Sequence, residues 1–501
     1  MPGPGGTRES RSYLWPVISV AFAAFLARLN NYTVNVSLPS IARSFDVGTS
    51  QVSGVTVYYL LVITCTLLVV GRLGDRIGLK RIFVSGYGVF IVGSLLCGLS
   101  RSLAMLIAFR CVQAAGAAML LALSFAIVAK SVPRAHLGQA FGITNTSAAL
   151  GVAAGAPLGG LLAGYLSWHW VFLLNVPVAL AGMVVSWRMV PSDRRRPPTA
   201  TAPVRDAPDS DGGDPAAEPG RLPRFDYLGA ALSAAGLVSL VYALNTGSRA
   251  GWTSARTLAL LATGVVALTL FVWRETRTES PLLDLRLLRD IRFSFALLGA
   301  LVAYMYIAGN AFLMPFYLQF VHLLNPQQTG LVLLTYSLTY VFLSPVAGRL
   351  SDTHDPGRLC TLGMLSAAAC AFVFAYTLRL SGLATVFVYL GWMGLSFVLF
   401  LSPNNNLVMR GAPEKQLGSI SALFNTATNL GNVLGVCVFE LIFAMALPGL
   451  ASGGTAGLAQ APVGSLVSGF SGAYVLGGGL CLLGVGLSIL GGKDRRRQVL
   501  S

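Results

Sequence analysis

The sequence predicts an all-α protein that crosses a membrane many times, and three observations carry that expectation. Of 501 residues, 54% are apolar and only 11% charged, against roughly 25% charged in an ordinary soluble domain. Mean hydropathy is +0.69, too high for one water-soluble core to hide. The apolar residues come in runs of about 20, the length at which a helix crosses hydrocarbon with every backbone group satisfied internally. A soluble enzyme is excluded. Net charge is +16 from 35 Lys and Arg, but these cations sit in the short breaks between apolar runs. They report orientation in a bilayer rather than a nucleic-acid partner.

Reading the runs between turn and charge clusters places spans at 14–37, 51–72, 82–100, 103–129, 139–164 and 168–190, then 227–246 and 256–274. Six more follow at 293–321, 328–350, 359–380, 383–409, 417–447 and 470–491. With both termini in the cytoplasm, 28 of the 35 Lys and Arg fall on the cytoplasmic side, as the bias of short loops requires. The Pro-, Gly- and charge-rich stretch 191–226 lacks anything to pack a core and is expected to be a flexible cytoplasmic linker. The chain divides accordingly into a six-helix unit 1–190, the linker, a helix pair 227–274, a charged link 275–292, a second six-helix unit 293–491 and a tail 492–501.

Seven cysteines lie in or at the edges of apolar runs without a CxxC. Neither disulfides nor a metal site is expected, nor any cofactor.

The two six-helix units repeat each other. GRLGDR at Gly71–Arg76 recurs as GRLSD at Gly348–Asp352, 277 residues on. In the fifth span Gly138, Asn145, Thr146, Leu150, Gly151 and Gly155 are matched by Gly418, Asn425, Thr426, Leu430, Gly431 and Gly435 in the thirteenth, each pair 280 apart. Recurrence after an even number of helices means parallel halves, related by an axis along the membrane normal. Such halves can rock about a central site that opens to either side.

With these motifs in view, the chain resembles the major facilitator superfamily, and within it the fourteen-span drug:proton antiporter type-2 family. GRLGDRIGLKRIF (Gly71–Phe83) resembles the superfamily's cytoplasmic loop motif, and Arg110-Cys-Val-Gln113-Ala-Ala-Gly116 its fourth-span motif with Ala114 where Gly is usual. Gly142, Gly151, Gly155, Pro157 and Gly160 resemble the antiporter motif, with Ala156 in place of its Gly. WHWVFLLNVPV (Trp168–Val178), FDYLGA (Phe225–Ala230), ESPLLDLRLL and FLMPFYLQ (Phe312–Gln319) extend the likeness from residue 13 to 490. The resemblance implies a major facilitator fold of two six-helix bundles plus a two-helix insert. It also implies a gate at Gly71, Gly74, Asp75, Arg76, Gly78 and Arg81 with its repeat at Gly348 and Asp352, and a role for Arg110 and Gln113 in the proton or substrate path. The residues by themselves leave a second reading open: a positive-inside loop with structural glycines, and glycines that simply let helices touch.

The first span departs from the family. Its LARLNNYTVNVSLPSIA places Asn30 where the family has a membrane-embedded Asp, and an amide cannot titrate. On a helix Arg28, Asn31, Tyr32 and Asn35 share one face while Asn30 points well away from it. Glu440 is the one acidic residue deep in a predicted span. It is either a substitute protonation site or counter-charge for Arg28 or Arg110, or it snorkels outward. Tyr304, Tyr306, Asn310, Gln319 and Asn404 to Asn406 are either cavity lining or interhelical hydrogen-bond glue.

Three functions remain. The first is a secondary transporter, alternating access between sides, that moves small organic molecules outward against protons, working as a monomer in a bacterial inner membrane. The second is a carrier of an anionic metabolite or lipid-like acid, motivated by Arg28 and Arg110 without the family Asp. The third is a receptor or scaffold, or an enzyme, without transport. It has no positive support, because the chain shows no P-loop, no paired catalytic carboxylates and only four His, so no catalytic residue is assigned.

Overall fold

The computed structural model of the chain describes residues 14–132, 137–190, 226–251, 253–278, 285–378, 382–410, 417–446 and 461–499. Of the predicted linker 191–226, all but Asp226 lies outside them, and Asp226 belongs instead to the start of the seventh helix. Among the described residues, fourteen helices are long and apolar enough to cross a membrane. They are α1 (Leu14–Phe45), α2 (Thr49–Ile77), α3 (Leu79–Gly98), α4 (Leu103–Ser131), α5 (Leu137–Tyr165), α6 (His169–Met189), α7 (Tyr227–Ala250) and α8 (Ala255–Glu275), then α9 (Ile291–Phe320), α10 (Pro326–Thr353), α11 (Pro356–Thr377), α12 (Leu383–Arg410), α13 (Leu417–Met445) and α14 (Val463–Val499). Across these fourteen helices the start of α1 and the end of α14 fall at one face, here the terminal end; the opposite face is the far end.

Two boundaries differ from the hydropathy reading for physical reasons. α1 runs on from residue 37 to Phe45 because a helix satisfies its own backbone outside lipid as well as inside, and it stops only where Asp46 turns to positive φ. α14 continues through 492–499, because the Lys and Arg that end an apolar run are good helix formers. Within α6 the helix is interrupted at Leu174, where Pro177 lacks the N–H that would bond Leu173.

Side chains close the helix ends. Asn325 Oδ1 accepts from Gln328 N at 2.8 Å while Gln328 Oε1 accepts from Asn325 N at 3.1 Å, a reciprocal cap ahead of Pro326. Asp226 caps α7 through Gly229 N at 2.8 Å and holds the Arg274 guanidinium at 2.9 Å, tying the start of α7 to the end of α8. Gly78, at φ 116°, separates α2 from α3 within the predicted gating loop, a conformation that favours glycine.

Glycines set the closest helix pairs. In the first half a Cβ on Gly151 would meet the Phe25 carbonyl, and one on Gly155 would meet Tyr32 and the Leu29 carbonyl, so α5 lies directly on α1. In the second half Gly431 and Gly435 meet the Leu301 and Met305 carbonyls in the same manner, laying α13 on α9. Between the halves, Gly160 of α5 sits on the Pro326 carbonyl and Gly330 of α10 on the Ala156 carbonyl. α5 stays helical through Pro157. α7 is tied to the first half where Asn245 Nδ2 donates to Ser53 Oγ of α2 at 2.9 Å. Large apolar side chains such as Trp187, Val266, Phe342, Leu362 and Val388 lie on the outside, where lipid is their solvent.

By contrast, a Cβ at Gly142 meets nothing within 4 Å. Gly155→Ala is therefore expected to lower the thermal midpoint in detergent, and Gly142→Ala to leave it unchanged or raise it, since Ala is the better helix former by up to about 1 kcal/mol.

Candidate functional site

A small cavity lies between the halves. The first half contributes Tyr32, Asn35, Val36 and Ala156, and the second Ile307, Asn310, Leu333, Tyr336, Ser337, Leu390 and Met393 among others. The far end above it is closed. Arg43 of α1 donates to Gln319 Oε1 of α9 at 2.7 Å and lies over the Phe320 ring at 5.3 Å, and Gln319 Nε2 donates to the Val36 carbonyl at 3.5 Å. Gln319, expected as cavity lining or interhelical hydrogen-bond glue, bridges the halves at this end through these hydrogen bonds. At mid-depth Ser337 Oγ donates to the Val152 carbonyl at 3.4 Å. At the terminal ends of α2, α5 and α10, open space stands over Gly71, Gly142 and Gly348.

Arg28 stands one helical turn before the lining residue Tyr32, on the α1 face that carries Tyr32 and Asn35, and is not itself part of the lining. Its recorded neighbours are tyrosines: Tyr32 on the same helix, Tyr304 of α9 within hydrogen-bonding reach, and Tyr340 of α10. Asn35 accepts from Thr56 Oγ1 at 3.2 Å. Asn31 keeps a buried Oδ1 without a partner among the described residues.

Asn30 faces the other way, into the first half, where it meets Arg110. The Arg110 side chain is fully buried. Its Nη1 donates to Gln113 Oε1 at 2.5 Å and to Asn30 Oδ1 at 3.3 Å, its Nε donates to the Val55 carbonyl at 3.3 Å, and its guanidinium stacks 3.8 Å over the Tyr59 ring and 5.6 Å from that of Phe172. Asn30 Oδ1 also accepts from Gln113 Nε2 at 3.3 Å and Asn175 Nδ2 at 3.1 Å, and Gln113 Nε2 donates to Ser94 Oγ at 2.7 Å. Three donors, one of them a cation, converge on a single neutral oxygen. Asn30 Nδ2, Arg110 Nη2 and Asn175 Oδ1 stay without partners among the described residues. Tyr59, Ser94, Phe172 and Asn175 escaped the sequence reading. Asn175 carried a usable signal, the lone polar side chain within FLLNVPV, whereas Ser94 and Tyr59 carried none.

The second half holds a different network. Tyr306 and Tyr389 hydroxyls are 2.9 Å apart, and Asn310 Oδ1 accepts from Tyr389 at 2.7 Å and Tyr474 at 3.1 Å. Glu440 is buried within α13 and is not among the recorded neighbours of Arg28 or Arg110. Asn404 is buried, Asn405 is exposed, and Asn406 donates to Ser351 Oγ at 2.7 Å, joining α12 to α10 outside the cavity lining. Of the gating loop, Gly74 packs on Leu123 and Arg81 is exposed. The side chains of Asp75, Arg76 and Asp352 lie outside the described part.

Residues 20–436 match the sequence profile described as the Major Facilitator Superfamily. The chain belongs to that superfamily. Among its relatives in the superfamily, the riboflavin transporter RibZ of Clostridioides difficile is 28% identical over 86% of this chain and 88% of that protein. The multidrug resistance protein Stp of Mycobacterium tuberculosis is 29% identical over 87% and 76%. The tetracenomycin C resistance and export protein of Streptomyces glaucescens is 29% identical over 86% and 76%. In fold, the chain matches a bacterial homologue of the human lysosomal transporter Spinster, in an inward-facing and unoccupied conformation, with a TM-score of 0.66 over 98% of both chains at 15% identity. This superfamily member is thus a multi-pass small-molecule transporter with its cavity between two helix bundles.

Asn30→Leu strips the shared acceptor from a buried cation and is expected to cost on the order of 3 kcal/mol. Asn30→Asp, isosteric and opposite in charge to Arg110, is expected to fold at least as stably as the parent. Thermal midpoints of the two purified variants at neutral pH check both outcomes.

Proposed function

We propose that this transporter exports small organic molecules by alternating access, driven by proton entry, as a monomer in a bacterial inner membrane with both termini cytoplasmic. The observation that carries the proposal is the cavity shared by both halves and shut at one end by Arg43, Gln319 and the Gly160–Pro326 contact. With the termini inside, as the Lys and Arg bias favours, this arrangement faces the cytoplasm. Relatives named for resistance and export support the outward direction.

The proton path in this reading does not run through Asn30, which has no proton to exchange. Glu440 takes that role. Among acidic residues whose side chains are described, it alone sits inside a spanning helix, while Asp46, Asp226, Glu275, Asp290 and Asp355 cap or close helix ends. A carboxyl buried there exchanges a proton at a cost that depends on which side the halves open to, and this dependence couples proton movement to rocking.

Proteoliposomes with an imposed pH gradient and a panel of neutral, cationic and anionic dyes test this. The parent should show gradient-dependent flux of at least one dye. Glu440→Gln should lower that flux at least tenfold while leaving dye binding unchanged. Joining the halves through Arg43→Cys and Gln319→Cys should stop flux when oxidised and restore it on reduction. Undiminished gradient-driven flux in both variants would overturn the proposal.

A further inference from the structure

We propose that the cavity selects planar aromatic anions, with the Arg28 guanidinium as the group that recognises their charge. This rests on the transporter reading above and names its substrate class.

Tyrosines surround the cation. Arg28 has Tyr32, Tyr304 and Tyr340 as recorded neighbours, and Tyr336 stands beside the same group. Tyr32 and Tyr336 also line the cavity, and the Tyr336 and Tyr340 ring centres are 6.4 Å apart. No carboxylate is among these partners. A guanidinium carries five N–H donors, and neutral tyrosine hydroxyls leave its charge uncancelled. Two residues along α1, Asn30 holds the second guanidinium, Arg110, whose recorded polar partners are likewise neutral. Two positive charges with no carboxylate among their partners in the described residues repel a cation entering the cavity and attract an anion, and the poorly polarisable surroundings strengthen both effects.

The rest of the wall fixes the shape of the guest. A planar fork of N–H groups matches a carboxylate or an enolate with two oxygens. Tyrosine faces from both halves, together with Leu333, Leu390 and Met393, suit the flat faces of a fused ring. Tyr32 belongs to the first half and Tyr304, Tyr336 and Tyr340 to the second, so a bound anion touches both bodies that must move.

Three probes share one ring and differ in charge: 2-naphthoate, 2-naphthalenemethanol and 2-naphthylmethylammonium. Their binding to the purified full-length protein in detergent is read by calorimetry. Naphthoate should bind at least tenfold more tightly than the alcohol, and the ammonium more weakly than either. Arg28→Gln should remove the preference for naphthoate while leaving the alcohol within twofold, and Arg28→Lys, which keeps charge without the fork, should retain part of it. Equal affinity of the three probes for the parent, or an Arg28→Lys or Arg28→Gln protein that is folded and binds naphthoate as the parent does, would overturn the proposal. The parent comparison decides by itself should Arg28→Gln fail to fold. Failure here leaves gradient-driven export of a neutral or cationic dye standing, whereas absence of all flux in proteoliposomes removes the transporter reading without touching the binding preference.

Discussion

A guanidinium sealed inside a membrane bundle constrains much of the first half. Arg110 cannot lose its proton, and its charge is costly in a medium of low polarisability unless donors find acceptors and the plane finds a ring. Five helices meet that demand: α1 with Asn30, α2 with the Val55 carbonyl and Tyr59, α3 with Ser94, α4 with Gln113, and α6 with Phe172 and Asn175. Gly93 and Gly116 allow α3 and α4 to approach closely enough for Ser94 to reach Gln113. The network makes the first half one body, and a body must be rigid to rock.

The second half keeps the packing and abandons the charge. Gly151 and Gly155 lie on the Phe25 and Leu29 carbonyls as Gly431 and Gly435 lie on those of Leu301 and Met305. One residue beyond each matched contact stand Asn30 and Tyr306. Where Asn175 reaches Asn30, Gly477 instead makes room for the Tyr306 ring. The repeat is therefore a repeat of helix contact. Its chemistry has diverged, with fixed positive charge on one side of the cavity and a neutral tyrosine network on the other.

Replacing the family's Asp by Asn30 changes more than one titration. A carboxylate opposite Arg110 would neutralise the pair in place and could give up that neutrality to a proton. An amide accepts the same three hydrogen bonds and leaves the charge standing under all conditions. The positive field beside the cavity is then permanent, and any proton-linked step belongs to a group elsewhere in the bundle.

Much of this molecule follows from its sequence alone: fourteen spans, their repeat, the glycines of α5, and the separation of Asn30 from the Arg28 face. Those features are local or periodic, set by the length of apolar runs and by 3.6 residues per turn, so they need no knowledge of neighbours. Tertiary structure decided the rest. Only packing could make Gln319 a bridge to Arg43 rather than cavity lining, set Asn405 and Asn406 outside the cavity lining, bring Ser94, Tyr59 and Asn175 to one guanidinium, and give Arg28 tyrosines instead of Glu440. The physical reason is that a polar side chain in lipid must find a partner, but its identity depends on which helices touch and at what height. That information is distributed over residues hundreds of positions apart.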